Sequence, residues 1–382
     1  MTQGDANRGD PRPGHQPGLD GLRGLAVLAV LAYHLDLPFA PRGGAIGVTL
    51  FFALSGYLIT TLLLREVDAG GRPLLGHFYA RRALRLFPAL LLVVGVVAVY
   101  AARFGPAATA DQTLGGLPYV VFYVGNWYRA VTGFGSLGLL EHTWSLSVEE
   151  QFYLLWPPVV AGIVVLARDG RRWLLGVALA GSVAPLLIRL ALWQGSTISG
   201  ARVYNGTDTA ADPLMMGCAL ALLLALTGGS GRLGRWLRWA CWPATLLLVA
   251  DALLRLGGHS GGAVTFDLLW GPTVFGLAAA VVVGATVLRP AALLRWAPLR
   301  QVGVISYGLY LWHYPVYRAV RDQQLPVATA RGLVVLLSFA LAATSYVVLE
   351  RPLLRLKRLV PPARRPVPVA PEQETAPMVV ST

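Results

Sequence analysis

The chain has 382 residues, of which 55% are hydrophobic and 13% charged, with a formal net charge of +13 and a mean hydropathy of +0.58. A soluble domain of this size carries about 25% charged residues, so the composition excludes a soluble enzyme on a single anchor and points to an all-α polytopic membrane protein. The basic excess sits at the ends of apolar runs, as the positive-inside bias of membrane proteins produces, which argues against nucleic acid as a partner.

Residues 1–18 are rich in Gly, Pro, Asp and Arg and are expected to be a disordered tail. A retained first span is expected rather than a cleaved signal peptide, because a second apolar run soon follows the first. Apolar segments then fall near 22–40, 45–65, 84–103, 146–167, 172–194, 208–227, 238–256, 265–288, 302–320 and 332–350. Each is close to the roughly 20 residues that cross a bilayer. The segment 113–128, with Gly115, Gly116, Pro118, Gly125 and Asn126, is weaker. With the N-terminus inside and 113–128 not crossing, the clusters Arg72/Arg81/Arg82/Arg85, Arg168/Arg171/Arg172, Arg232/Arg235/Arg238, Arg289/Arg295/Arg300 and Arg351/Arg355/Lys357/Arg358 all lie inside. The bias of short loops therefore predicts a bundle of about ten transmembrane helices with both termini cytoplasmic, and 104–145 as an outer loop or re-entrant piece. Arg318, Arg321 and Arg331 fall outside in this topology, against the bias. The transmembrane domain is placed at 19–356 and a disordered Pro-rich tail at 357–382. Cys218 and Cys241 stand in apolar surroundings without disulfide or metal spacing, so no metal is expected.

The first span carries two ionisable residues, Arg23 and His34. Eleven residues of helix are about 16 Å, roughly half the hydrocarbon thickness. Arg23 is thus placed at the inner surface and His34 past the midplane. An ionisable group at that depth either serves function or bonds a neighbouring helix; histidine suits proton transfer near neutral pH.

Just before the third span stands His77-Phe78-Tyr79-Ala80-Arg81-Arg82-Ala83-Leu84-Arg85-Leu86-Phe87-Pro88. Arg82 and Arg85 share a helical face, and Arg81 points elsewhere. Two guanidinium groups on one face suit bidentate phosphate binding. Anionic inner-leaflet lipid is the competing use, and charge alone favours it.

The fourth span opens with His142-Thr143-Trp144-Ser145-Leu146-Ser147-Val148-Glu149-Glu150-Gln151-Phe152-Tyr153. Carboxylates at a helix start favour its dipole. Glu149 and Tyr153 share a face, while Glu150 lies about 100° away. A carboxylate at this depth is a candidate to meet His34, fix its tautomer and raise its basicity. Ser145 and Tyr153 are weaker candidates for stabilising an oxyanion. Later in the chain, His313 lies within the aromatic run Ser306 to Pro315, where packing is the competing explanation. Asp208 reads as a helix cap or an acceptor-site carboxylate. Glu350-Arg351 reads as an inner-boundary ion pair. No Gly-x-Ser-x-Gly elbow, phosphate-binding loop or His-Glu-x-x-His occurs.

Six pieces occur in one order: Gly18 to Ala26 with His34, Phe51 to Ile59, Phe78 to Pro88, Trp144 to Tyr153, Tyr307 to Pro315 and Leu349 to Pro352. In that order they resemble the acyltransferase-3 family of integral membrane O-acyltransferases. The resemblance implies about ten transmembrane helices in the bacterial cell membrane. It also implies transfer of an acyl group, acetyl or another short acyl, from cytoplasmic acyl-CoA to a hydroxyl of a carbohydrate or glycosylated acceptor. His34 matches the family's essential first-helix histidine. Arg23, Arg82 and Arg85 match arginines implicated in acyl-CoA binding, and Glu149 the carboxylate of the Trp-Ser-Leu motif. Acyl-CoA is then a co-substrate, acetyl-CoA being the expected one, and no cofactor is permanently bound. The chain departs from the family at Ala210, where an arginine often follows Thr207-Asp208-Thr209. The competing class is a proton-coupled transporter of small solutes or lipid-linked sugars, against which stands the lack of repeat symmetry.

Overall fold

A computed structural model describes residues 16–37, 43–69, 73–229, 231–254 and 261–356. Most of both expected tails, 1–15 and 357–382, lies outside the described residues. Among the described residues every regular element is helical. The chain runs α1 (Pro17–His34), α2 (Gly43–Asp68), α3 (Leu75–Phe104), α4 (Ala107–Val121) and α5 (Gly125–Thr132). A 3-10 turn (Gly138–Thr143) leads into α6 (Trp144–Leu166) and α7 (Gly170–Leu192). Next come α8 (Thr197–Asn205), α9 (Thr207–Ala210), α10 (Asp212–Thr227), α11 (Gly231–Leu254), α12 (Gly261–Leu269) and α13 (Gly271–Leu288). The short α14 (Ala292–Arg295) and α15 (Ala297–Val304) precede α16 (Ser306–Arg321) and α17 (Val327–Ser345). A π turn at Tyr346–Glu350 continues α17 into α18 (Arg351–Leu356).

Seven of the ten apolar segments fall on a single helix as far as they are described, and 208–227, 265–288 and 302–320 are each divided between two; six helical stretches are long and apolar enough to cross a membrane: Gly44–Asp68, Leu75–Phe104, Gly170–Leu192, Gly231–Leu254, Gly271–Leu288 and Val327–Arg355. The other four differ for identifiable reasons. α1 carries Asp20, Arg23 and His34, α6 carries Glu149 and Glu150, and α10 and α16 have 16 residues each. The segment 113–128 is not a continuous helix. It breaks between α4 and α5, where Tyr123 takes a left-handed conformation with φ 53°.

α2 is apolar all round and contributes to three hydrophobic clusters, as a helix at the centre of a bundle does. Small residues let its backbone approach its neighbours. A Cβ on Gly56 would stand 1.9 Å from the Leu214 carbonyl oxygen, and one on Gly217 of α10 would stand 2.1 Å from that of Ala53. Close contact through glycine is a usual device of helix packing in lipid. The outer faces are apolar instead: Leu91, Leu92, Val96 and Val99 of α3 and Trp236, Trp239, Trp242 and Leu246 of α11 are exposed. Such continuous apolar surface suits a bilayer, and the tryptophans suit its interface.

One buried ion pair ties α7 to α10. Arg189 and Asp212 are both fully buried and meet at 2.9 Å. Arg189 also donates to the carbonyls of Leu269 (2.8 Å) and Thr209, and to Thr273 Oγ1 (2.6 Å), which itself donates to Asp212 Oδ2. A charge pair removed from water is tolerated when such added bonds complete it.

Candidate active site

α1 is held at both ends. Near its start a Cβ on Gly21 would stand 2.0 Å from the Leu294 carbonyl oxygen, and one on Gly303 would stand 1.8 Å from that of Asp20. At its C-terminus Arg331 of α17 donates to the carbonyls of Leu35 (2.9 Å) and Asp36 (2.7 Å). A cation there satisfies free carbonyls and complements the helix dipole. Arg23 and His34 are thereby fixed near opposite ends of one rigid element.

Around the Arg23 end, α1, α2, α3, α6 and α16 enclose a cavity of about 100 Å³. Arg23, Arg82 and Arg85 line it together with Ser55, Ser145, Glu149, Glu150, Tyr153 and Tyr310. Arg82 meets Glu150 at 3.2 Å and Glu149 at 3.9 Å, and its guanidinium lies over the Tyr153 ring. Its Nε is buried without a hydrogen-bond partner. Arg85 is exposed to the cavity and has no hydrogen bond or ion pair to any described residue. Arg23 makes a long bond, 3.4 Å, to Ser306 Oγ. Arg81 does point elsewhere, to Glu66 of α2 at 3.2 Å. Three cations thus face two carboxylates with donors to spare, an arrangement that accepts an anion.

Glu149 Oε1 accepts hydrogen bonds from Ser55 and Tyr153. The bond to Tyr153 bears out their shared face. The expected meeting of Glu149 with His34 does not occur. Glu149 lies a turn inside α6, turned toward α2 and Arg82, whereas the far end of α1 packs on α16 and α17. The carboxylate therefore fixes the arginine cluster and not the imidazole.

His34 stands in a separate cluster. Its ring lies 4.9 Å from that of His313 and 5.1 Å from that of Tyr314, and His313 lies 5.2 Å from His142. His34 Nδ1 is 3.0 Å from the Val30 carbonyl, and His313 Nδ1 is 2.6 Å from that of Tyr310. A carbonyl only accepts, so both imidazoles carry their proton on Nδ1 and leave Nε2 basic. Burial pushes the pKa of His142, in the 3-10 turn, down to about 3, with the neighbouring His34 and Arg129 adding to the shift and a backbone hydrogen bond opposing it. The cavity and the histidines meet at one point. Ser145 Oγ and Tyr310 Oη, both lining the cavity, are 2.6 Å apart, and the Tyr310 ring is 5.4 Å from His142 and 5.3 Å from His313.

The remaining candidates fall elsewhere. Asp208 forms a two-pronged pair with Arg202 (2.6 and 2.9 Å), which stacks on Trp127; none of these lines the cavity. Glu350 and Arg351 do not pair. Glu350 is buried beside Gly308 while Arg351 faces outward. Sequence reasoning gave no role to Ser55, Glu150, Tyr310, Arg189 or Asp212. For the last two a signal existed, since each is an isolated charge in an apolar segment, and their signs are opposite.

The acyltransferase-3 profile, described as an acyltransferase domain, matches residues 16–350. The peptidoglycan O-acetyltransferase OatA of Listeria monocytogenes is 35% identical over 350 residues, covering 88% of this chain and 55% of that protein. The O-acetyltransferase OatA of Staphylococcus aureus is 33% identical over 371 residues, covering 89% of this chain and 57% of that protein. The chain thus spans about half the length of these relatives. No solved structure matches it. With a match across the arginine cavity, the first-helix histidine and the Trp-Ser-Leu helix alike, the chain belongs to the acyltransferase-3 family.

Proposed function

We propose that this chain is a multi-pass enzyme of the bacterial cell membrane that transfers an acetyl or short acyl group from acyl-CoA to a hydroxyl of a carbohydrate or glycosylated acceptor. The observation that carries the reading is the cavity where Arg23, Arg82 and Arg85 converge with unused donors and which the Ser145–Tyr310 hydroxyl pair also lines. Its apolar lining of Val48, Phe51, Phe52, Leu58 and Ile59 suits the narrow pantetheine arm. The phosphates then rest on the arginines at its mouth, and the thioester points toward Ser145 and Tyr310. In a topology with both termini cytoplasmic, the arginine side is in reach of cytoplasmic acyl-CoA. The names of the relatives, peptidoglycan O-acetyltransferase among them, favour acetyl as the group and a carbohydrate as the acceptor.

In the reaction the acceptor hydroxyl attacks the thioester carbonyl as His34 Nε2 takes its proton. The tetrahedral oxyanion is stabilised by the Ser145 and Tyr310 hydroxyls. The C–S bond then breaks, its electron pair stays on sulfur, and the CoA thiolate takes up the proton that His34 received, which restores the base. Glu149, fixed by Ser55, holds Arg82 and Tyr153 in place. The test is purified protein in detergent with radiolabelled acetyl-CoA and a panel of sugars and glycosylated compounds. Label in the acceptor is expected. His34→Ala is expected to lower transfer by at least about 100-fold while the chain stays in the membrane, and full activity of that variant would sink the mechanism. A transporter, which needs a sealed compartment, would leave no labelled product in detergent.

A further inference from the structure

Arg318, Arg321 and Arg331 have no part in the scheme above. In the topology with both termini cytoplasmic they stand on the outer side, against the bias that orients membrane proteins. Three cations held there call for a use, because the protein does not neutralise them. Arg318 and Arg321 each donate to the tyrosine hydroxyl one turn earlier, Tyr314 (3.3 Å) and Tyr317 (2.9 Å). Arg331 donates from Nε and one Nη to the carbonyls that end α1. Among the described residues none of the three forms an ion pair with a carboxylate, and neither does Asp36 or Asp322, the acidic residues of the same end, with any cation.

A second cavity lies beside them. The end of α1, α16 and the start of α17 enclose it, and its lining includes Asp36, Tyr317, Val320, Arg321, Arg331 and Val334. Arg23 lines the first cavity and Leu35 the second, so the two lie at opposite ends of α1, about 18 Å apart along its axis. His34 borders the second: it precedes Leu35, and its ring is 6.0 Å from that of Tyr317. The lining has an apolar part and a charged part. Tyr317, Val320 and Val334 offer a wall against which the C–H face of a sugar ring packs. A guanidinium carries five donors in a fixed fork. Arg321 uses one of them and Arg331 two on the bonds above, and the fork that remains matches a carboxylate or a phosphate. Asp36, exposed at the left-handed end of α1 with φ 49°, offers an acceptor for sugar hydroxyls.

We propose that this cavity binds the acceptor and selects a carbohydrate that carries a carboxylate or a phosphate, with Arg321 and Arg331 as the specificity-determining residues, a role that rests on the transferase reading. The sugar ring lies against Tyr317, and its anionic group sits on the two guanidinium groups. The rest of the acceptor extends past Tyr314, whose ring is 5.1 Å from that of His34, and brings a hydroxyl to the base. The donor enters beside Arg23 and the acceptor beside Asp36. The two substrates therefore do not compete for one mouth, and each has a charged group at its own end of α1 to hold it.

The experiment uses the full chain in nanodiscs of phosphatidylcholine, which bring no anionic lipid. The acceptors are matched oligosaccharides: one neutral, one bearing a uronic-acid carboxylate and one bearing a phosphate. Equilibrium binding is measured without acetyl-CoA, and transfer with radiolabelled acetyl-CoA. The wild type is expected to bind an anionic member at least about 10-fold more tightly than the neutral one, as one charge-assisted contact gives, and the anion it prefers names the acceptor's group. Arg331 also clamps α1, so Arg321 carries the test. Arg321→Ala is expected to erase the preference and to raise KM for the anionic acceptor about 10-fold, with KM for acetyl-CoA and the thermal midpoint unchanged. Arg321→Glu is expected to turn the preference toward the neutral member. Equal binding of neutral and anionic members by the wild type overturns the proposal, as does an unchanged preference in both variants. An Arg321 effect confined to retention on phosphatidylglycerol vesicles assigns the arginines to lipid and overturns it too. Arg321-dependent binding of the anionic member without any transfer supports the site and rejects the transferase reading. Transfer without a preference keeps that reading and rejects the site.

Discussion

Two arginine centres in this bundle are built on opposite principles. Arg189 is fully buried and saturated: its donors reach both oxygens of Asp212, two backbone carbonyls and Thr273. The Arg23, Arg82 and Arg85 group lines a cavity and is left incomplete, with Arg82 Nε orphaned and Arg23 on one long bond. The same side chain holds helices together when every donor is used and waits for an anion when some are not. Stability and binding should therefore separate cleanly between the two.

The sharpest way to break that comparison is at the saturated centre. Arg189→Ala leaves Asp212 charged and buried, and is expected to cost about 3–5 kcal/mol, read as a large fall in the detergent melting point. At the incomplete centre Arg85→Ala should leave the melting point in place and remove one charge-assisted contact of about 1.5–3 kcal/mol, or roughly 10- to 150-fold in KM for acyl-CoA. An Arg85 variant that melts like Arg189→Ala would erase the distinction. Glu149→Gln keeps shape but removes the charge that anchors Arg82, so a rise in KM of about 10-fold is expected, from one weakened charge-assisted bond. The pair Arg171–Asp68, with side chains 34% and 55% exposed, gives the baseline. Arg171→Ala should change stability by less than about 1 kcal/mol and leave KM untouched.

The helices were legible because hydropathy is a local property. Every apolar segment landed on helix, seven of them on a single one as far as they are described, while the weak segment 113–128 broke at residues 122–124, beyond Gly115, Gly116 and Pro118, which lie inside α4. The arginine face was legible too, since spacing within α3 puts Arg82 and Arg85 together and sends Arg81 to Glu66. Pairings between helices were not. Glu149 and His34 suit each other chemically, but which helix the far end of α1 meets depends on the approaches at Gly21 and Gly303 and on the clamp of Arg331. Those contacts join residues about 300 positions apart in the chain, and no local pattern specifies them. Glu149 found Ser55 and Tyr153 instead, and His34 found His313.

The π turn at Tyr346–Glu350 has a bearing on the family's closing Glu-Arg-Pro. A π turn widens the helix locally and shifts the register of everything beyond it. Val347 and Val348 remain on the outer face, 55% and 70% exposed, while Glu350 swings into the bundle against α16 and Arg351 swings out. The phase of the helix, rather than any partner in sequence, thus decides which of two adjacent charged residues is enclosed. Shortening this turn by one residue would rotate α18 by about 100°, exchange Glu350 for a neighbour and leave the composition of the segment almost unchanged.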